Sequence, residues 1–159
     1  MRTAALAAAL LALPSTSGCD GSRPPEIDRI EIKVTGWSAV EIALDRGGKG
    51  SFRLSEPFPR GNSGALSVTP DRFQTLRRRL EPYRRQSVPV TEESARRFIE
   101  AKCPEGVPSV TDAGGIYIRW IDETSDRHFA ADFGCDPERQ ASRNEQLLGI
   151  VNSLPLPTP

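Results

Sequence analysis

The sequence predicts an α+β domain in which an antiparallel sheet of about five strands carries helices on one face. Several short runs alternate apolar with polar residues, the pattern of strands with one buried face. Two other segments open with Thr-Pro or Asp-Pro and then repeat apolar residues at helical spacing. The strands fall in groups instead of alternating with helices, so the order β-β-β-α-α-β-β-α favours the α+β class.

The first three strands are predicted close together. Ile and Val alternate with Glu and Lys over residues 30–34, and Val, Ile and Leu alternate with Glu and Ala over residues 40–44. The glycine-rich segment 45–50 predicts a tight turn into a third strand containing Phe52 and Leu54. Segment 57–66 has no period and is predicted to be a loop.

Two helices follow. Thr69-Pro70 has the form of an N-cap followed by proline at the first helical position, and Phe73, Leu76 and Leu80 begin an apolar stripe. This pattern predicts a helix over about 70–83. A shorter helix is predicted from Thr91, with acidic residues in its first turn, to its end at Cys103.

The last part of the domain predicts two strands and a helix. The apolar run 116–121 indicates a fourth strand, and a turn at 124–126 leads to a fifth over 128–134. Asp136-Pro137 repeats the cap-and-proline pattern and opens a helix to about Ser153. The proline-rich tail 155–159 cannot continue this helix.

The N-terminus is typical of a secretory signal peptide over residues 1–18. The run 4–13 reads AALAAALLAL, with Arg2 before it and Pro14 and small residues after it. Ten apolar residues are too few to span a bilayer, which needs about 20. A buried N-terminal helix is the alternative, but the run has no polar face and therefore no amphipathic period.

The segment Thr16-Ser17-Gly18-Cys19 resembles the lipobox of bacterial lipoproteins, although Thr16 replaces the usual apolar residue. The resemblance implies that Cys19 is acylated and becomes the mature N-terminus. Cleavage by the ordinary signal peptidase, without a lipid, is the alternative. In Gram-negative lipoproteins an Asp after that cysteine is associated with inner-membrane retention, so Asp20 favours the periplasmic face of that membrane. Residues 19–25 then form an anchor and tether before a single domain over 26–154.

Charge and cysteine content narrow the function classes. The chain has 21 Lys and Arg against 21 Asp and Glu, and removing residues 1–18 takes away only Arg2. The resulting balance, 20 against 21, argues against a nucleic-acid-binding protein. If Cys19 carries lipid, Cys103 and Cys135 remain as a pair, which predicts a disulfide in an oxidising compartment. The alternative, a metal site, lacks the ligand spacing of zinc sites.

Among the candidate sites, the most pronounced is a possible partner surface made of arginines and one aromatic residue. Arginines cluster along the first helix, and Phe58 lies in the predicted loop 57–66 with proline on both sides. Such residues could contact an acidic partner or lipid headgroups. Alternatively the helix presents a solvated charged surface, because three consecutive arginines span most of a turn. The arginines are Arg77, Arg78, Arg79, Arg84 and Arg85.

No catalytic constellation, cofactor motif or metal-binding motif is recognised. The single histidine, His128, precedes Asp132 and Asp136 at steps of four. This spacing is compatible with a metal or general-base site, and the alternative is a solvated strand face. We therefore expect an exported lipoprotein that acts as a binding or envelope-accessory module, held to the membrane and contacting an envelope protein. The alternatives are a periplasmic enzyme using His128 and carboxylates, and an exported protease inhibitor presenting loop 57–66.

Overall fold

The fold is taken from a computed structural model that describes residues 27–36, 39–55 and 62–157. Within them the chain forms seven strands and three helices. The strands make one antiparallel sheet with the order β4-β3-β2-β1-β6-β7-β5. The elements are β1 (Arg29–Thr35), β2 (Val40–Asp45), β3 (Lys49–Leu54), β4 (Ser63–Ser67), α1 (Pro70–Arg84), β5 (Val88–Pro89), α2 (Ser94–Lys102), β6 (Gly115–Ile121), β7 (Asp126–Asp132) and α3 (Pro137–Val151).

The α+β class and the antiparallel sheet are confirmed, but the predicted strand count of five is wrong. The sequence predicts a loop over 57–66, but residues from Ser63 onward form β4, which pairs with β3. A second additional strand, β5, pairs only Val88 and Pro89 with β7. Both strands are short and exist because a neighbouring strand satisfies their backbone groups, and a local sequence pattern does not record that pairing.

One face of the sheet is apolar and buried. The register aligns Ile32 of β1 with Ile42 of β2 and Ile118 of β6, so alternate side chains of neighbouring strands meet on the same face. Ile118 is 0% exposed and Trp120 is 1% exposed. This face forms the hydrophobic core together with apolar side chains of α1 and α3. The helical contributions are Phe73, Leu76, Leu80, Tyr83, Leu147, Ile150 and Val151.

Both helices predicted from a cap-and-proline signal start at their proline, whereas the helix predicted from Thr91 starts later. The Thr69 side chain accepts a hydrogen bond from the Arg72 N–H at 3.3 Å, and α1 starts at Pro70. Helix α3 starts at Pro137, although its N-cap Asp136 is left-handed and makes no side-chain cap bond. Helix α2 starts at Ser94 instead of Thr91, so its first turn holds no acidic residue. None of the helices in the described ranges is long and apolar enough to cross a membrane.

Helix α2 lies along β7, close to the opposite end of the sheet from β4. Its only buried side chain is Phe98, which contacts Phe129 of the core face and His128 of the other face. The predicted disulfide is confirmed: Cys103 at the end of α2 is bonded to Cys135, with 5.7 Å between their Cα atoms. The bond therefore ties the end of α2 to the start of α3.

Candidate binding face

The second face of the sheet carries the polar half of each alternating strand. Its central strands present Glu31, Lys33, Glu41 and Tyr117, and these side chains help to line a shallow groove of about 810 Å³. The groove extends across β1, β2, β3, β4 and β6. We call this surface the open face and define it by its lining side chains Arg29, Glu31, Lys33, Glu41, Ala43, Ser51, Arg53 and Tyr117.

Ion pairs cross the strands of the open face. Glu41 lies between Lys33 of β1 at 3.0 Å and Arg53 of β3 at 2.9 Å, as the register of the three strands requires. The hydrogen bond from Lys33 is the main cause that holds the pKa of Glu41 below its ordinary value. All three groups remain accessible to solvent, so the pairs contribute little to stability.

A second set of ion pairs is centred on Arg119. Its Nε donates to Asp126 Oδ1 at 2.7 Å, and its Nη1 lies 3.4 Å from Glu31 Oε2. Glu31 in turn lies 2.8 Å from Arg29 Nε. The hydrogen bond with Asp126 raises the pKa of Arg119 and lowers that of Asp126. The charged side chains in this part of the sheet therefore largely pair with one another.

Tyr117 is the aromatic residue among the side chains that define the open face, and the ring of His128 stacks against it. The two rings are stacked, with 5.2 Å between centroids and 19° between planes. His128 is 0% exposed, its Nε2 is 2.7 Å from Ser94 Oγ, and its Nδ1 has no hydrogen-bond partner in the described part of the chain. Burial lowers the pKa of His128 and raises that of Tyr117. The histidine is thus placed to hold Tyr117, and its ring is closed to solvent.

A second groove, of about 630 Å³, continues the open face toward α2. It shares Lys33 and Tyr117 with the first groove, and its far wall consists of Ala95 and Ile99 of α2 together with the loop 109–114. The disulfide at the end of α2 and the bridge between Ser109 and Cys135 hold this loop in place. A continuous polar and aromatic surface therefore extends from β4 to α2.

The histidine and carboxylates singled out in the sequence do not form a site. Within the described ranges, no group of three or more His, Cys, Asp or Glu side chains could hold a metal ion. His128 and Asp132 share a face of β7, as expected from alternation, but His128 is buried whereas Asp132 is exposed. Asp136 serves as the N-cap of α3. In this arrangement the His128 ring does not contact solvent, and its Nε2 lies at hydrogen-bond distance from Ser94 Oγ.

The arginines of α1 point in several directions. Arg77 donates to Gln74 at 3.3 Å, Arg78 to Thr75 at 2.9 Å, and Arg79 to Ser153 beyond α3 at 2.9 Å. That distribution matches the expected solvated helix surface more closely than a single basic patch. The remaining two, Arg84 and Arg85, lie within 4.0 Å of Glu81.

Two predicted site residues fall outside the described residues. Cys19, the expected lipidation site, precedes the first described residue, and Phe58 lies between the second and third described ranges. The inhibitor interpretation of segment 57–66 is weakened at its C-terminal half, because Ser63 to Leu66 pair with β3 and Leu66 is 3% exposed.

Sequence reasoning did not identify the residues of the open face as a site, although the signal was present. The polar residues that alternate with Ile and Val in β1 and β2 mark a face without apolar cover. The pairing of β1 with β6, which adds Tyr117 and Arg119 to that face, joins residues far apart in the chain. No protein-family model, curated protein or solved structure matches this chain.

Proposed function

We propose that the protein is an exported lipoprotein that works as a binding or envelope-accessory module through its open face. The observation that carries this proposal is the asymmetry of the sheet. One face is buried under α1 and α3, whereas the open face leaves a groove of about 810 Å³ lined by paired charges and Tyr117. Paired charges beside a half-buried aromatic ring are features that a binding partner can recognise.

The proposed export and membrane anchoring rest on the N-terminal sequence, and the disulfide supports export. The signal-like run 4–13 and the lipobox-like segment ending at Cys19 favour export and acylation. Cys103 and Cys135 are joined in the fold, as suits an oxidising compartment such as the periplasm. Asp20 favours the inner membrane as the site of the anchor, and residues 19–25 form a short tether that places the domain near the membrane surface.

The intact mass of the chain recovered from cell membranes tests whether Cys19 is the acylated N-terminus. We expect a chain that starts at Cys19 and carries acyl groups, found in the inner-membrane fraction. A Cys19→Ser variant should leave the membrane fraction, and a Ser17→Ala variant, which keeps the small residue of the lipobox, should stay in it. An unmodified Cys19 in the membrane-extracted chain would contradict the lipoprotein proposal.

Site-specific photo-cross-linking in intact cells tests the binding function. A photoreactive residue at Ala43 lies on the open face, whereas one at Thr75 lies on the exposed side of α1 and serves as the matched control. We expect a discrete cross-linked species from Ala43 that Thr75 does not give. Adding Tyr117→Ala to the Ala43 variant should weaken that species. Identical products from both positions would show that the open face has no special role.

A further inference from the structure

Strand β4 forms one edge of the sheet in the described part of the chain. Within those residues β3 is its single neighbour, so half of its backbone groups point away from the sheet. An edge of this kind can accept another strand, and natural proteins usually protect such edges with charged residues, proline or bulges. Strand β4 reads Ser-Gly-Ala-Leu-Ser and contains neither a charge nor a proline.

The hydrogen-bond pattern shows which residues of β4 face outward. The Leu54 N–H donates to the Asn62 carbonyl at 2.8 Å, and the Val68 N–H donates to the Gly48 carbonyl at 2.8 Å. Because residues of an antiparallel strand face alternate neighbours, the even-numbered positions of β4 bind β3. The N–H and C=O groups of the odd-numbered residues point away from the sheet. Those residues are Ser63, Ala65 and Ser67, and all three are exposed.

We propose that β4 pairs antiparallel with β4 of a second copy of this chain, about a two-fold axis at Ala65. The outward-facing residues are arranged Ser, Ala, Ser, so this register places Ser63 opposite Ser67 of the second copy and Ala65 opposite itself. The three facing pairs exchange about six backbone hydrogen bonds. The strand carries no charge, and the register therefore creates no direct like-charge pair at the junction.

The core-facing residues of β4 are compatible with the same register. Gly64 has no side chain, and a Cβ at that position would come within 3.0 Å of Cε1 of Phe52, so the half-buried Phe52 ring covers the glycine. Two-fold pairing places Leu66 of the second copy opposite Gly64. Because Gly64 carries no side chain, it does not obstruct Leu66 of the second copy, which stays packed in its own core with 3% exposure.

Cysteine cross-linking of the full chain in its membranes tests this register. Hydrogen-bonded antiparallel partners have Cα atoms about 5.5 Å apart, which lies within the range that a disulfide spans. Ala65→Cys should therefore give a covalent dimer under mild oxidation. Ser63→Cys alone should not, because the two copies of residue 63 are separated by about 13 Å along the strand. A mixture of Ser63→Cys and Ser67→Cys chains should cross-link. Because Cys103 and Cys135 are bonded to each other, the chain without added cysteines measures any dimer that forms through Cys19.

A proline variant separates pairing from folding. The Ala65 N–H points away from β3, so Ala65→Pro removes a donor at the junction and leaves the bonds between β3 and β4 in place. Cross-linking of the Ser63→Cys and Ser67→Cys mixture in the Ala65→Pro background should fall by about tenfold or more. The thermal midpoint should match that of an Ala65→Ser control.

Several outcomes would overturn the proposal. Equal dimer from Ser63→Cys alone and from Ala65→Cys would indicate random collision. A cross-link from Ala65→Cys to a different protein, with no dimer, would indicate a foreign strand at this edge. No cross-link at all would exclude the pairing. These three comparisons use cysteine variants at exposed positions, so they hold even if the proline variant fails to fold.

Discussion

Loss of the disulfide should cost the domain about 3.7 kcal/mol of unfolding free energy, the value that the chain-entropy relation gives for a separation of 32 residues at 25 °C. The test replaces Cys103 and Cys135 together by alanine, so that no unpaired thiol remains. Cys135 is 5% exposed, so the small cavity at its sulfur adds slightly to the loss. Urea unfolding of the variant and of the parent chain gives the difference directly.

Removing the bond should, in addition, loosen α2 locally. Phe98 is the only buried side chain of that helix, so the bond at Cys103 supplies much of what holds the helix against β7. Amide exchange in α2 should accelerate in the double variant by more than it does in α1, which buries four side chains. A stability loss below about 1 kcal/mol, or equal acceleration in α1 and α2, would refute this reasoning.

Three further predictions concern the core, the histidine and a helix cap. Ile118→Ala should destabilise the fold by about 2–5 kcal/mol, since Ile118 is fully buried, while Val110→Ala, at a side chain 57% exposed, should change it by less than about 0.5 kcal/mol in the same urea assay. Burial lowers the pKa of His128, so its contribution to stability is complete above about pH 6.5 and is lost as the pH falls through the folded pKa. NMR titration of the one imidazole should show that lowered pKa, and an unshifted or raised value would contradict the burial. Thr69→Ala should cost about 1 kcal/mol by removing the cap of α1, whereas Thr69→Ser should not; equal loss in both variants on thermal unfolding would argue against capping.

Local patterns in the sequence predicted most of the fold because most of its elements are locally determined. Alternation in β1 and β2 follows from one buried face, and the cap at Thr69 with Pro70 fixes the start of α1. Strand β4 could not be predicted in this way. Its serines, glycine and alanine have weak strand propensity, and its extended form results from pairing with β3.

The candidate site was harder to predict from the sequence than the fold. The alternating polar residues of β1 and β2 imply a second face, but their spacing does not say whether a helix covers it. Pairing of β1 with β6 brings Tyr117 beside Lys33, and the chain separation between these strands hides that contact from any local pattern. Similarly, the role of His128 depended on burial: Ser94 and Tyr117 enclose a side chain that the sequence suggested was solvated.

Oxidative footprinting of Tyr117 tests the binding role of the open face most directly, because it needs no substitution. The modification rate of Tyr117 is compared between the purified chain and the chain in its native membranes, with Leu148 of α3, which is 37% exposed, as the internal reference. If a partner occupies the open face, Tyr117 is protected in the membranes and Leu148 is not. Equal modification of Tyr117 in both settings, relative to Leu148, would contradict the account.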